Sequence, residues 1–344
     1  MQEQDLEPIV TIGIPTKNRA SCLDKVLISI LKLDYPRGKM RLVFVDDFST
    51  DGTEQIIRRF IDEYEKHYEK ALIFRLKSNI PKARNVCVDN SSGPYILFVD
   101  SDVIVDPQVI RHSLQLFQSD PATAIVWQWY LPDKLSLIED MYYHIGSVKP
   151  HSTLGCGMGC TMIKIAALRD VGCFDERFSV CEDMHLAVRL TKHKYKVTMD
   201  PTITCKHLKT RKESFPRLMR SFFGPVALYN YLILADQKPM RYLRRIAFYT
   251  VFLAGLLSFP FAPYPWKLIP LLILLVGYAY HSNSLRGLKR FTYPFVFLFL
   301  GMILTLGVYF EFLKRLGFRV GRSISHMNHS AWSKRLALDK AYTK

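Results

Sequence analysis

Residues 41–64, RLVFVDDFSTDGTEQIIRRFIDEY, read as a strand, a loop and a helix. The apolar run from Leu42 to Val45 is continuous rather than alternating, as expected of a strand covered on both faces, and it stops on Asp46 and Asp47. A polar loop follows, in which Ser49, Thr50 and Asp51 suit the capping of the next helix. From residue 53 to 66, Ile56, Ile57, Phe60 and Tyr64 recur at helical spacing.

The same grammar extends outward. Strands are expected at 9–14 (IVTIGI), 71–76 (ALIFRL), 95–100 (YILFVD) and 122–129 (ATAIVWQW), and a helix at 21–33 through Cys22, Val26, Ile30 and Leu33. This alternation predicts an α/β fold with a mostly parallel, Rossmann-like sheet. In such sheets ligands bind beyond the carboxyl ends of the strands, where Asp46, Asp47, Asp100 and Asp102 fall. Two carboxylates as close as Asp100 and Asp102 repel each other unless a cation lies between them.

Composition divides the chain. The 344 residues carry a net charge of +16, yet residues 1–204 sum to −2 and residues 205–344 to +18. Hydrophobic residues make up 49% and mean hydropathy is +0.04, which excludes a disordered chain. The basic half also holds the long apolar runs 246–266, 268–280 and 293–312, in which Glu311 is the one charge, with Lys267 between the first two. Basic and apolar together predict a membrane partner and no nucleic acid, and no zinc-finger or RRM spacing argues otherwise. Residues 214–234 suit a helix in the interfacial plane, and roughly 20 residues make one crossing. The expected organisation is a cytosolic catalytic domain at 1–210, basic amphipathic helices at 211–245, two to three transmembrane segments within 246–316, and a basic tail at 317–344. The expected localisation is multi-pass membrane. Basic residues on both sides of the apolar runs leave the number of crossings open.

Seven cysteines, an odd number in a long chain with an acidic, polar start, argue against a secreted disulfide framework. Cys156, Cys160, Cys173 and Cys181 lack zinc-site spacing and read as small core residues. Trp127 and Trp129 fit an acceptor wall and a core equally well.

Four patterns occur in order: IGIPTKNRA (12–20), VDDFSTDGT (45–53), FVDSDVIVDP (98–107) and CFDERFSVCEDMHLAVRL (173–190). Together, over residues 8–210, they resemble glycosyltransferase family 2. The resemblance implies a GT-A fold, transfer of a sugar from a nucleotide donor (a UDP- or GDP-sugar), and Mg²⁺ or Mn²⁺ as cofactor. It implies a nucleobase contact at Asp47, a nucleotide frame at Pro15, Thr16 and Asn18, and a DXD element at Asp100-Ser101-Asp102, with Asp102 the more direct metal contact. Arg84 and Asn85 match the family's ARN segment. Arg84 approaches the nucleotide or bridges to a neighbouring Asp, and Ser78–Pro81 replace the usual preceding glycine. Glu182-Asp183 resembles the family's ED pair at a helix start, implying Asp183 as general base with Glu182 in support. His207 is a weaker metal or phosphate contact, and Arg211 and Lys212 face a diphosphate or a lipid phosphate.

One base without a second nucleophile implies a single inverting displacement. The expected acceptor is lipid-linked, a polyprenyl or dolichyl phosphate or a lipid-linked glycan, and self-association is left open. A nucleotidyltransferase is the alternative, although its phosphate loop would carry glycine where IPTKNRA has none. A non-catalytic membrane scaffold is a further alternative, opposed by intact Asp47, Asp102 and Asp183.

Overall fold

The computed structural model describes residues 7–131, 156–178, 181–208, 247–251, 306 and 309. The chain divides into two compact units, 1–213 and 214–344. The first is built on an eight-stranded sheet. Its strands are β1 (Val10–Thr16), β2 (Met40–Asp46), β3 (Lys70–Arg75), β4 (Tyr95–Val99), β5 (Val103–Ile104), β6 (Thr123–Leu131), β7 (Cys160–Lys164) and β8 (Lys196–His207), in the order β3-β2-β1-β4-β7-β6-β8-β5.

Every expected strand forms, and the greater part of the pairing is parallel as expected, with antiparallel pairs that the sequence did not signal. β3-β2-β1-β4 are parallel, as is β6 with β8, whereas β7 runs antiparallel to both β4 and β6, and β5 antiparallel to β8. Unbroken hydrophobicity reports burial on both faces and carries no information about strand direction.

Helices α1 (Leu23–Leu31), α2 (Thr53–Tyr64) and α4 (Val109–Ser119) supply one buried cluster, which takes Leu42 and Phe44 from β2. Helices α3 (Ile80–Asp89), α5 (Ile165–Asp170) and α6 (Glu182–Lys192) supply the other, which takes Val43 and Val45. The alternation follows from the period of two along a strand. It leaves the strand ends as the place where loops gather.

Those loops are fixed by local chemistry. Of the residues expected to cap α2, Asp51 accepts the Thr53 amide and hydroxyl, while the cap position itself is Gly52 at φ 90°. Ser49 and Thr50 do other work: the Ser49 hydroxyl donates to the fully buried Asp46, and the Thr50 amide donates to the Asn18 side chain. Asn79 caps α3 by accepting the Lys82 amide, with Pro81 in the first turn.

In the second unit, residues 247–251 are helical and Thr250 Oγ1 lies 2.9 Å from the Tyr309 hydroxyl. The expected multi-pass localisation is corrected here: among the described residues no helix is long and apolar enough to cross a membrane. The expectation rested on the length and hydropathy of the runs, and an apolar run of that length does not by itself fix a spanning helix. Almost all of 246–266, 268–280 and 293–312, the interfacial helix at 214–234, and Arg211 and Lys212 lie outside the described residues.

Candidate active site

A cavity of about 500 Å³ opens at the carboxyl ends of β1, β2 and β4. Pro15 and Thr16, expected in a loop, form the buried end of β1 and line it. Asp47 follows β2, Asp100, Ser101 and Asp102 follow β4, Arg84 comes from α3, Glu182 opens α6 and His207 ends β8. The fold thus brings together eight of the singled-out positions: Pro15, Thr16, Asp47, Arg84, Asp100, Asp102, Glu182 and His207.

Asn18 is not among the lining residues. Its backbone is left-handed at φ 52°, its amide donates to Ser49 Oγ, and its side chain accepts the Thr50 amide. It laces the β1 loop to the β2 loop.

Asp47 uses both oxygens. Lys17 Nζ donates to one at 2.5 Å and the Ser78 amide to the other at 3.0 Å. Burial pushes its pKa upward, but these two donors hold the carboxyl below its ordinary range. Asp102 behaves in the opposite way. Burial and the neighbouring Asp100 raise its pKa against the pull of Arg19, whose Nη2 is 3.2 Å away, and of His207, at 3.7 Å.

Arg84 is buried and bridges two carboxylates. Nη1 meets Glu182 at 2.5 Å and Nη2 meets Asp100 at 3.5 Å. Of the two roles its motif allowed, the structure contains the bridge. Burial opposes the charge of Arg84, but Asp100 and Glu182 hold it ionised.

Asp183 stands apart from its neighbour. Glu182 lines the cavity and Asp183 is not among the lining residues. Asp183 Oδ1 accepts the Met184 amide at 2.7 Å, and burial together with the Glu182 charge raises its pKa to about 6. A carboxylate with that pKa is half-ionised at about pH 6 and mostly ionised at neutral pH, in the form suited to taking a proton.

Among the described residues no three His, Cys, Asp or Glu gather into a metal cluster. Asp102 and His207 approach each other while Asp100 turns to Arg84. Oxygen donors with one imidazole still suit Mg²⁺ or Mn²⁺, and these ions ordinarily complete their shell with water and substrate phosphates rather than with a protein cage. Cys156 and Cys160 are buried, as their core reading requires, whereas Cys173 and Cys181 are half-buried. Trp127 and Trp129 pack edge to face at 5.3 Å, and Trp127 lies against the core.

Sequence reasoning passed over Lys17, Arg19 and Ser78, which also line the cavity. Two cations placed directly after a buried strand, on either side of an asparagine, were the available signal. Ser78 acts through its backbone amide, which leaves none.

The profile described as "Glycosyl transferase family 2" matches residues 11–170, and that of "Glycosyl transferase family group 2" matches residues 95–310. The poly-beta-1,6-N-acetyl-D-glucosamine synthase of Staphylococcus epidermidis is 25% identical over 199 residues, 55% of this chain and 47% of that protein. Glycosyltransferase AglE of Haloferax volcanii is 34% identical over 95 residues, 28% and 31% of the two. The chain therefore spans about half the length, or less, of these curated relatives. In fold it is similar to the mannosyltransferase PcManGT of Pyrobaculum calidifontis, solved with GDP-Man and Mn²⁺, at TM-score 0.57 and 18% identity over 87% of each chain.

Proposed function

The chain belongs to glycosyl transferase family group 2 and is a glycosyltransferase, and on that premise we propose that it moves a sugar, with inversion, from a nucleoside-diphosphate donor to a lipid-linked acceptor. The observation that carries this reading is the convergence of Asp47, Asp100, Asp102, Arg84 and Glu182 on one cavity at the strand ends. A nucleobase presents N–H donors, and Asp47 is an ionised acceptor held in place by the Ser78 amide. Uracil and guanine both offer such a donor, and the similar mannosyltransferase PcManGT is solved with GDP-Man.

A divalent cation would be held by Asp102 and Asp100, with His207 at its flank, and would offset the charge developing on the leaving diphosphate. Arg84 holds Asp100 and Glu182 through one guanidinium. The acceptor oxygen attacks the anomeric carbon, the bond from that carbon to the diphosphate oxygen breaks, and the acceptor proton passes to Asp183. Glu182 is occupied by its ion pair with Arg84, whereas burial raises the proton affinity of Asp183. A lipid-linked acceptor is supported by the +18 charge and apolar runs of residues 205–344.

The test is a panel of radiolabelled UDP- and GDP-sugars offered to the purified chain with polyprenyl phosphate or lipid-linked glycan. Label entering the organic phase supports the reading. Label entering only water-soluble glycan overturns the lipid acceptor, and transfer of a nucleotidyl group in place of the sugar overturns the reaction.

A further inference from the structure

Lys17 and Arg19 flank Asn18, and each pairs with a different carboxylate of the cavity. Lys17 Nζ is 2.5 Å from Asp47 and Arg19 Nη2 is 3.2 Å from Asp102. Those are the carboxylates that the proposed reading gives to the nucleobase and to the divalent cation. We propose that Lys17 and Arg19 are exchangeable counter-ions: the base and the divalent cation displace them from Asp47 and Asp102, and the freed ammonium and guanidinium then clamp the donor's diphosphate.

The segment is built for this exchange. Its backbone is fixed: the Asn18 amide is held by Ser49 Oγ, the Asn18 side chain by the Thr50 amide, and the Arg19 amide donates to Thr53 Oγ1 at 2.7 Å. The left-handed Asn18 stands between two side chains that reach separate carboxylates. The carboxylates are the anchored members of each pair. Side-chain exposure is 17% for Asp47 against 60% for Lys17, and 12% for Asp102 against 25% for Arg19. A long, exposed ammonium loses little by leaving a solvated pair of this kind.

Charge arithmetic favours the same outcome. A divalent cation beside Asp102 repels the Arg19 guanidinium, while the diphosphate attracts it. Arg19 also has an unused donor: its Nε is buried and has no hydrogen-bond partner among the described residues. A phosphate oxygen supplies the missing acceptor, and guanidinium–phosphate bonds are among the stronger charge-assisted contacts. Lys17 and Arg19 line the same cavity as both carboxylates, so the exchange needs side-chain rotation alone.

The inference rests on the donor reading above, and calorimetry separates the two. The probes are uridine, guanosine, UDP and GDP, each with and without Mn²⁺, and Mn²⁺ alone. Lys17→Met should bind the matching nucleoside about two- to fivefold more tightly, because Asp47 is no longer contested. The same variant should bind the nucleoside diphosphate about tenfold more weakly, because a charge-assisted phosphate contact is gone. Arg19→Met should bind Mn²⁺ alone more tightly and the diphosphate more weakly. Lys17→Arg, which keeps the charge, should retain most of the diphosphate affinity, and unchanged thermal midpoints show that the fold is intact. Nucleoside and diphosphate affinities that fall together, or that do not move, overturn the exchange while leaving the donor reading intact. A wild-type chain that binds none of the nucleotides overturns both.

Discussion

Arg84 Nη1 donates to Glu182 Oε1 at 2.5 Å, joining two residues 98 positions apart in the chain. The bond ties α3 to the start of α6, and the other nitrogen of the same guanidinium holds Asp100 at 3.5 Å. Arg84 is nearly inaccessible, so the pair is a buried one. Removing one member of a buried pair typically costs about 3–5 kcal/mol, because the remaining charge stays buried and unpaired. Arg84→Met should therefore lower the midpoint of urea unfolding by an amount in that range. Arg84→Lys, which keeps the charge without the planar fork, should fall between wild type and Arg84→Met. Equal midpoints for all three chains would mean that the bridge does not hold these elements together.

On the proposed reading Asp102 stands at the diphosphate end of the site. Asp102→Asn should reduce turnover by about 10²-fold or more, the usual scale for losing one preorganised charge contact, and should weaken donor binding with it. A chelator should silence the wild type, and Mn²⁺ or Mg²⁺ should restore it. Full activity in the chelator contradicts a cation at Asp102.

The pKa of about 6 at Asp183 bears on rate and on stability. The pKa is raised above the ordinary 3.8, so the folded protein holds this proton more tightly than the unfolded chain does. As pH rises from about 4 to about 6 the unfolded state releases its proton first and gains relative stability. Asp183 therefore costs stability above pH 6 and not below pH 4. Asp183→Asn should raise the thermal midpoint at pH 8 and leave it nearly unchanged at pH 3.5. Turnover of the wild type on a hydroxyl acceptor should rise through about pH 6, and that rise should vanish in Asp183→Asn, with a loss of about 10²–10⁴ in rate. A lipid phosphate, already ionised, would make the loss smaller. An Asp183→Asn chain with wild-type turnover removes Asp183 from the reaction.

Gly93 sits at φ 78° just before β4, and a Cβ there would fall 2.1 Å from the Ile9 carbonyl oxygen. Conformation and contact both exclude a side chain. Gly93→Ala should destabilise the fold by about 3 kcal/mol or more, combining left-handed strain with a backbone clash. Chemical denaturation measures it, and a change under 0.5 kcal/mol, the scale of an ordinary surface substitution, would show that the turn relaxes freely.

What could be read in advance follows from how local each signal is. β2 announces itself because Leu42–Val45 are unbroken and two aspartates end the run, which also locates the cavity. The reversed direction of β7 had no local mark, since CTMIK is equally apolar whichever way it runs. The partner of Arg84 was not legible either, for nothing within α3 points to a glutamate at the start of α6. Asn18 was expected to frame the nucleotide because of its motif, whereas its left-handed backbone sets its amide on Ser49 and its side chain on the Thr50 amide. Apolar runs after residue 245 suggested crossings, and composition does not decide whether such a run forms a spanning helix.

The central claim is that a nucleotide-sugar is cleaved in the cavity bounded by Asp47, Asp100 and Asp102. Its most direct test is nucleoside-diphosphate release from a panel of UDP- and GDP-sugars with Mn²⁺ and a lipid-linked acceptor, comparing the wild type with Asp102→Asn and Asp47→Asn. The account predicts release from donors of one base, lost in Asp102→Asn and sharply reduced in Asp47→Asn at subsaturating donor. Release at the wild-type rate in both variants would contradict it.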